Sequence, residues 1–127
     1  MAAIDTNVLV RLLVADDPGQ TKRATSFLEM HRPLWVSMVV LVETIWVLTT
    51  VYHWSKPQIL AMISTATASR DFTLQSVQAV RAALHLYAAS KADFSDCLAL
   101  ELASAEGYLP FATFDKATAK LHSAVIP

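Results

Sequence analysis

The sequence has little glycine, little cysteine and almost no net charge, and each shortage argues against a class of protein. Only 2 of its 127 residues are glycine, too few for a glycine-rich phosphate-binding loop or a dinucleotide fingerprint. The one cysteine, Cys97, cannot form a disulfide within the chain, which favours a reducing cytoplasm. The 4 histidines are scattered and give no zinc-ligand spacing. The net charge of −1 neither indicates nor excludes a polyanionic partner.

Signals for export and membrane insertion are also weak. No positively charged stretch precedes the first apolar residues, and Asp5 interrupts them. Residues 33–55 approach the length of a membrane span and contain a single Asp, Glu, Lys or Arg, which is Glu43. However, Pro33 and Ser37 resemble loop and helix-start signals, and a carboxylate at mid-span costs about 2–3 kcal/mol or more. We therefore expect a short strand followed by a buried helix, and no membrane partner.

Apolar residues are abundant, at 54% of the chain. This share excludes disorder for most of the chain and suggests that another subunit covers some apolar surface. Short strand patterns alternate with helical ones, which predicts an α/β fold with a small, mostly parallel sheet. No repeat or linker is evident, so residues 1–127 are expected to form a single domain. Predicted strands lie at 2–5, 33–37, 109–115 and 123–127, with helices between the predicted extended segments. Residues 71–76 are expected to form a short strand or an extended link.

Two of the predicted strands end in an aspartate with a threonine nearby. Asp5 follows "AAI" and precedes Thr6 and Asn7, and Asp115 ends "LPFATFD". In open α/β sheets, ligands bind outside the carboxyl ends of the strands. Each aspartate is also suited to cap the helix that follows it, because Asp is a preferred N-cap residue. The pattern alone leaves both roles open.

Glu43 is the only ionisable residue in "VSMVVLVETIWVLTTV". We expect a helix from the cap residue Ser37 to about His53, on which Val39 and Trp46 are neighbours of Glu43 one turn away. Because that is not a solvated face, we expect Glu43 to be buried. A buried glutamate needs a partner, and no Lys or Arg lies nearby in sequence. The partner is then a metal ion or a distant arginine.

Asp93 and Asp96 are three residues apart in "ADFSD", so both can face one side of a helix start. The helix dipole favours acids in a first turn, an explanation that suits Asp93 better than Asp96. Carboxylates from separate segments repel one another and converge only around a cation. Hard divalent cations such as Mg²⁺ take oxygen ligands and activate water for attack on a phosphate.

The four acidic segments, in this order, resemble a known family. "AIDTNVLVRLL", "VSMVVLVETIWVL", "ADFSDCLALELASAEG" and "FATFDK" are similar to the acidic motifs of PIN-domain ribonucleases. The similarity is strongest to VapC-type toxins of prokaryotic toxin–antitoxin pairs and covers nearly the whole chain. It implies a three-layer PIN-like domain whose central sheet is flanked by helices. The catalytic, metal-binding acids that it implies are Asp5, Glu43, Asp96 and Asp115, with Asp93 as an auxiliary ligand and Thr6, Asn7 and Thr113 as supporting residues.

The resemblance also implies an activity, a cofactor and partners. The family acts as Mg²⁺- or Mn²⁺-dependent endoribonucleases on RNA phosphodiester bonds, and its toxins form homodimers inhibited by a small cognate antitoxin protein. Three basic residues lie close in sequence to the acidic motifs and are either contacts for RNA phosphates or ordinary solvated charges: Arg11, Lys91 and Lys116. The apolar stretch "WVLTTVYHW" supports a dimer interface, with core packing as the alternative.

Two other functions stay open beside the metal-dependent ribonuclease. The first is a non-catalytic binding module that keeps the fold, although such a module has no need of an intact set of acids. The second is a phosphohydrolase of the haloacid dehalogenase type, in which a strand-end aspartate is the nucleophile. That family requires a second aspartate two residues later, and the corresponding residue here is Asn7.

Overall fold

The computed structural model describes all residues, 1–127. The chain divides into two compact units, Met1–Gln75 and Ser76–Pro127, and each unit is described by itself. Both units combine helices with a small parallel sheet, so the predicted mixed α/β class is confirmed. The single domain and its three layers stay predictions.

The first unit is a three-stranded parallel sheet whose strands are connected by helices. The strands follow the order β1-β2-β3, with Ala2 opposite Leu34 and Leu34 opposite Phe72. Parallel neighbours need a crossover connection, and helices provide it here. The elements are β1 (Ala2–Ala3), α1 (Thr6–Leu13), α2 (Pro18–His31), β2 (Leu34–Val36), α3 (Met38–Thr50), α4 (Lys56–Ala68) and β3 (Phe72–Leu74).

Each helix of the first unit begins at a residue whose side chain accepts a hydrogen bond from a backbone N–H three residues later. The donors lie 3.0 Å from Asp5 and Asp17, 3.1 Å from Ser37 and 3.4 Å from Ser55. These bonds satisfy N–H groups that have no partner within the helix. The predicted cap at Ser37 is confirmed, and Asp5, Asp17 and Ser55 cap the other three helices in the same way.

Helix α3 packs against α1 through one of its faces. The buried residues of α3 are Leu41, Thr44 and Leu48, three and four positions apart, which places them on one side of the helix. Val39 and Trp46 lie elsewhere on the helix and are 75% and 63% exposed. Helix α3 therefore has an apolar surface that its own unit leaves open.

A polar network connects the end of α1 to two other segments of the first unit. Arg11 donates to Asp16 Oδ1 at 2.8 Å, to Gln20 Oε1 at 2.7 Å and to the Tyr52 hydroxyl at 3.2 Å. The Tyr52 hydroxyl in turn donates to Asp16 Oδ2 at 2.7 Å. The planar guanidinium suits such a multiply bonded position better than an ammonium group would.

The second unit is a pair of packed helices followed by a two-stranded parallel sheet. Helices α5 and α6 pack closely, and the rings of Tyr87 and Phe94 meet edge to face at 5.8 Å. Gly107 follows α6 with a φ of +82°, the left-handed conformation that glycine adopts at a helix end. The elements are α5 (Val77–Ala89), α6 (Phe94–Ala105), β4 (Phe111–Ala112), a 3₁₀ turn (Thr118–Lys120) and β5 (Ala124–Val125).

The predicted strands and helices are confirmed in their order and type, with differences at the boundaries. The strands are shorter than predicted, and α3 ends at Thr50 rather than near His53. The strands form two sheets, one in each unit, instead of the single sheet expected. None of the helices combines the length and the apolar character that a membrane crossing requires.

Candidate active site

Asp5 lies between β1 and α1 and is exposed. One of its carboxylate oxygens accepts the N–H of Val8 at 3.0 Å, so the capping role left open by the sequence is present. The carboxylate keeps capacity for further ligands, because its two oxygens together offer about four acceptor positions. Of the two supporting residues that follow, Thr6 is buried and Asn7 is exposed.

A cavity of about 650 Å³ lies beside Asp5 in the first unit. Its lining includes Asn7, Arg11, Arg23 and Phe27. A few polar groups beside apolar and aromatic surface are typical of ligand sites, and the volume is within their usual range. The predicted acid therefore borders a concave, partly basic surface.

The expectation that Glu43 is buried is wrong, because its side chain is exposed. The physical reason is that α3 is apolar on almost every side, so its sequence does not show which side packs. The helix uses Leu41, Thr44 and Leu48 for packing, and Glu43 projects from a different side. The carboxylate therefore needs no buried counter-ion, and the argument for a metal cannot rest on burial of Glu43.

In the second unit, Asp93 is the N-cap residue of α6, and Asp96 lies in the first turn of that helix. The Asp93 side chain makes no capping hydrogen bond. Asp96 is half-buried, whereas Asp93 is exposed. The sequence predicts Asp96 further into the helix, whereas the structure puts it in the first turn, where the helix dipole favours an acid as well.

Asp115 follows β4 and is fixed by hydrogen bonds on both sides. Its own N–H donates to Thr113 Oγ1 at 3.0 Å. Its carboxylate accepts the N–H of Thr118 at 2.9 Å and the Thr118 hydroxyl at 2.8 Å. These two bonds from Thr118, with a smaller contribution from the N–H of Ala117, lower the pKa of the Asp115 carboxyl.

Thr118 is the residue of the site that the sequence reasoning missed. It is fully buried, and its hydroxyl lies 3.3 Å from Asp96 Oδ2 as well as 2.8 Å from Asp115 Oδ2. Its contact with Asp115 could have been predicted, because a capping aspartate accepts a hydrogen bond from the backbone N–H three residues later, and Thr118 is at that position. The link to Asp96 depends on tertiary packing and has no local signal.

The structure thus brings two of the predicted acids, Asp96 and Asp115, onto one hydroxyl group. Asp5 and Glu43 belong to the other unit. Neither unit by itself gathers three or more His, Cys, Asp or Glu side chains into a group that could hold a metal ion. The convergence of all the predicted acids stays a prediction.

The three basic residues proposed to contact RNA phosphates differ in whether they already have hydrogen-bond partners. Arg11 is engaged by Asp16, Gln20 and Tyr52 and would have to exchange those partners to contact a phosphate. Lys91 and Lys116 are exposed.

The chemistry of the acid set fits a hard divalent cation. All of its donors are carboxylate oxygens, the ligand type that Mg²⁺ and Mn²⁺ prefer. Arg11, Arg32 and His122 contact other carboxylates, those of Asp16, Asp71 and Glu101. Two carboxylates that share a single hydroxyl carry like charges at close range, which a bound cation would neutralise.

Comparison with known proteins gives one clear result. The family model of the PIN domain matches residues 2–123, nearly the whole chain. No curated protein matches the sequence. The chain therefore belongs to the PIN domain family, which is generally a nuclease fold whose members act on nucleic acid and typically use divalent metal ions.

The hydrogen bonds at Asp115 predict its titration. Because its pKa in the folded protein is below the ordinary aspartate value, this group favours folding at pH values above the titration range of the unfolded chain. That contribution is lost as the pH falls through the lowered, folded-state pKa. We expect carboxyl NMR of metal-free protein to show Asp115 titrating at lower pH than the same residue in the urea-unfolded chain. Equal titration in the two states would contradict the hydrogen bonding described here.

Proposed function

We propose that this protein is a metal-dependent endoribonuclease that hydrolyses RNA phosphodiester bonds. The observation that carries the proposal is the pair of carboxylates, Asp96 and Asp115, which meet at one buried hydroxyl although they are far apart in the chain. Membership of a nuclease family supports it, since the acidic motifs that the family resemblance implies are all present. A non-catalytic module would have no need to keep such carboxylates together.

The residues proposed to hold Mg²⁺ or Mn²⁺ are Asp5, Glu43, Asp96 and Asp115, with Asp93 as an auxiliary. A bound divalent cation polarises a phosphate and activates water at neutral pH. The protein's own residues then orient the substrate. Lys91 and Lys116 are suited to contact phosphates because they are exposed. The cavity beside Asp5, with Arg23 and Phe27 in its lining, offers room for a neighbouring nucleotide.

The supporting residues would keep the carboxylates in fixed directions. Thr113 accepts the N–H of Asp115 at 3.0 Å and so fixes the backbone that carries this acid. Thr6 is buried directly after Asp5, and Asn7 lines the adjoining cavity. Ligands held by such contacts bind a metal more tightly than free carboxylates, because less orientation is lost on binding.

We expect purified protein to cleave single-stranded RNA with Mg²⁺ or Mn²⁺ and to lose this activity in EDTA. Glu43→Gln removes one ligand charge without changing size and is expected to lower activity by at least about 10-fold. Glu29→Gln is the matched control, because Glu29 is also an exposed glutamate on a helix but lies outside the acid set. RNA cleavage that survives EDTA, or equal activity of the two variants, would contradict the mechanism.

We further propose that the ribonuclease is the toxin of a toxin–antitoxin pair, inhibited by a small cognate antitoxin and acting on RNA of its own cytoplasm. The proposal rests on the similarity of the acidic segments to VapC-type toxins. Induced expression of the wild-type chain in a bacterial host is expected to stop growth. Glu43→Gln should relieve the arrest while Glu29→Gln does not. Normal growth with wild-type protein, or arrest by both variants, would argue against the toxin role.

We also propose a homodimer whose interface includes the exposed apolar residues at and just after the C-terminal end of α3. Trp46 is 63% exposed and Val51 is 57% exposed, and both belong to the stretch singled out in the sequence. The other members of that stretch, Val47, Tyr52 and Trp54, are half-buried and contribute to packing. Large exposed apolar side chains in a group are typical of interfaces between subunits.

We expect light scattering to give a dimer that dissociates on dilution, and Trp46→Lys to shift the equilibrium to monomer. Met30→Lys is the matched control, because Met30 is a 79% exposed apolar residue on another helix, α2. A wild-type chain that is monomeric at every concentration would exclude the homodimer. A Trp46→Lys variant as dimeric as the wild type would exclude this surface as its interface.

A further inference from the structure

Thr118 occupies an unusual position between two acids of the second unit. Its hydroxyl donates to Asp115 Oδ2 at 2.8 Å and lies 3.3 Å from Asp96 Oδ2. A threonine hydroxyl has one proton to donate, so the shorter contact with Asp115 is the principal hydrogen bond. Two carboxylates, 19 positions apart as numbered in the sequence, thus converge on a single donor.

The donor is held rigidly. Thr118 is 0% exposed, so water does not compete for its hydroxyl. Its N–H donates to the same Asp115 oxygen at 2.9 Å, which fixes the backbone from which the hydroxyl projects. The branched side chain of threonine has few rotamers, and burial leaves it little freedom to choose among them. The hydroxyl therefore has a fixed position, and both carboxylates contact it.

A purely structural role would not require contact with Asp96. The backbone N–H of Thr118 alone gives Asp115 its capping bond, and an apolar side chain of the same shape would fill the buried space. The second contact brings a like-charged carboxylate towards the first, which is unfavourable unless the pair serves a ligand of opposite charge. The hydroxyl therefore has a use that packing and capping do not explain.

We propose that Thr118 is a positioning residue that holds Asp96 and Asp115 at the separation and orientation in which they bind a divalent cation. This proposal rests on the proposed metal site. It adds that Thr118 determines how tightly that site binds the cation. Thr118 acts through the two carboxylates and does not touch the substrate. Outer residues that orient metal ligands typically change affinity by about 10–100-fold when they are replaced.

The test compares Thr118→Val with Thr118→Ser by Mn²⁺ titration of the metal-free protein, followed by calorimetry or electron paramagnetic resonance. Thr118→Val keeps the shape and removes the hydroxyl, and Thr118→Ser keeps the hydroxyl and removes a buried methyl group. We expect Val to weaken Mn²⁺ binding by about 10-fold or more, and Ser to remain close to wild type. Thermal melting of the metal-free variants reports their stability separately.

Several results would overturn the proposal. Equal Mn²⁺ affinity in Thr118→Val and wild type would show that the hydroxyl does not position the acids. Equal weakening by Val and Ser would show that packing, and not the hydroxyl, matters. If wild type binds Mn²⁺ and Glu43→Gln weakens binding while Thr118→Val does not, the proposed metal site stands and the role of Thr118 alone fails. Wild type that binds no Mn²⁺ removes both.

A second measurement covers the case in which Thr118→Val does not fold. In methyl NMR of the wild-type protein, paramagnetic Mn²⁺ at Asp96 and Asp115 broadens nearby signals. We expect the Thr118 methyl signal to be among the first to broaden as Mn²⁺ is added. A Thr118 signal that stays sharp while Mn²⁺ binds elsewhere would place the metal away from Thr118 and overturn the proposal.

Discussion

A hydrogen bond from a backbone N–H to a carboxylate, repeated in both units, is the constraint on which the proposed site depends. Asp5 accepts the N–H of Val8 at 3.0 Å, and Asp115 accepts that of Thr118 at 2.9 Å. Each bond fixes an acid at the junction between a strand and a helical turn, where backbone donors favour negative charge. Cap and metal ligand are therefore compatible roles, because a capping carboxylate keeps lone pairs for a second partner.

The packing of the helices determines how far the other acidic side chains are exposed to solvent. Helix α6 carries Asp96 in its first turn, half-buried beside the fully buried Thr118. Helix α3 packs through Leu41 and Leu48 and leaves Glu43 in the open. The acids thus occupy different environments, and hydrogen bonds lower the pKa of the Asp115 carboxyl. Within the second unit, rigid donors and not burial of charge bring the carboxylates together.

Local patterns predicted much of this structure. The cap at Ser37 and the alternation of strands with helices follow from short-range preferences. Glu43 shows where such patterns fail, because a helix that is apolar on nearly every side does not reveal which side will pack. The contact between Thr118 and Asp96 shows a second limit, since it joins residues whose proximity only tertiary packing creates.

The central claim is that the paired carboxylates of Asp96 and Asp115 bind a divalent cation. Anomalous diffraction from crystals soaked in Mn²⁺ tests it most directly, because the signal locates the ion independently of activity. The account predicts a peak bound by oxygen atoms of Asp96 and Asp115. A peak on other residues, or no peak in crystals of protein that cleaves RNA with Mn²⁺, would contradict it.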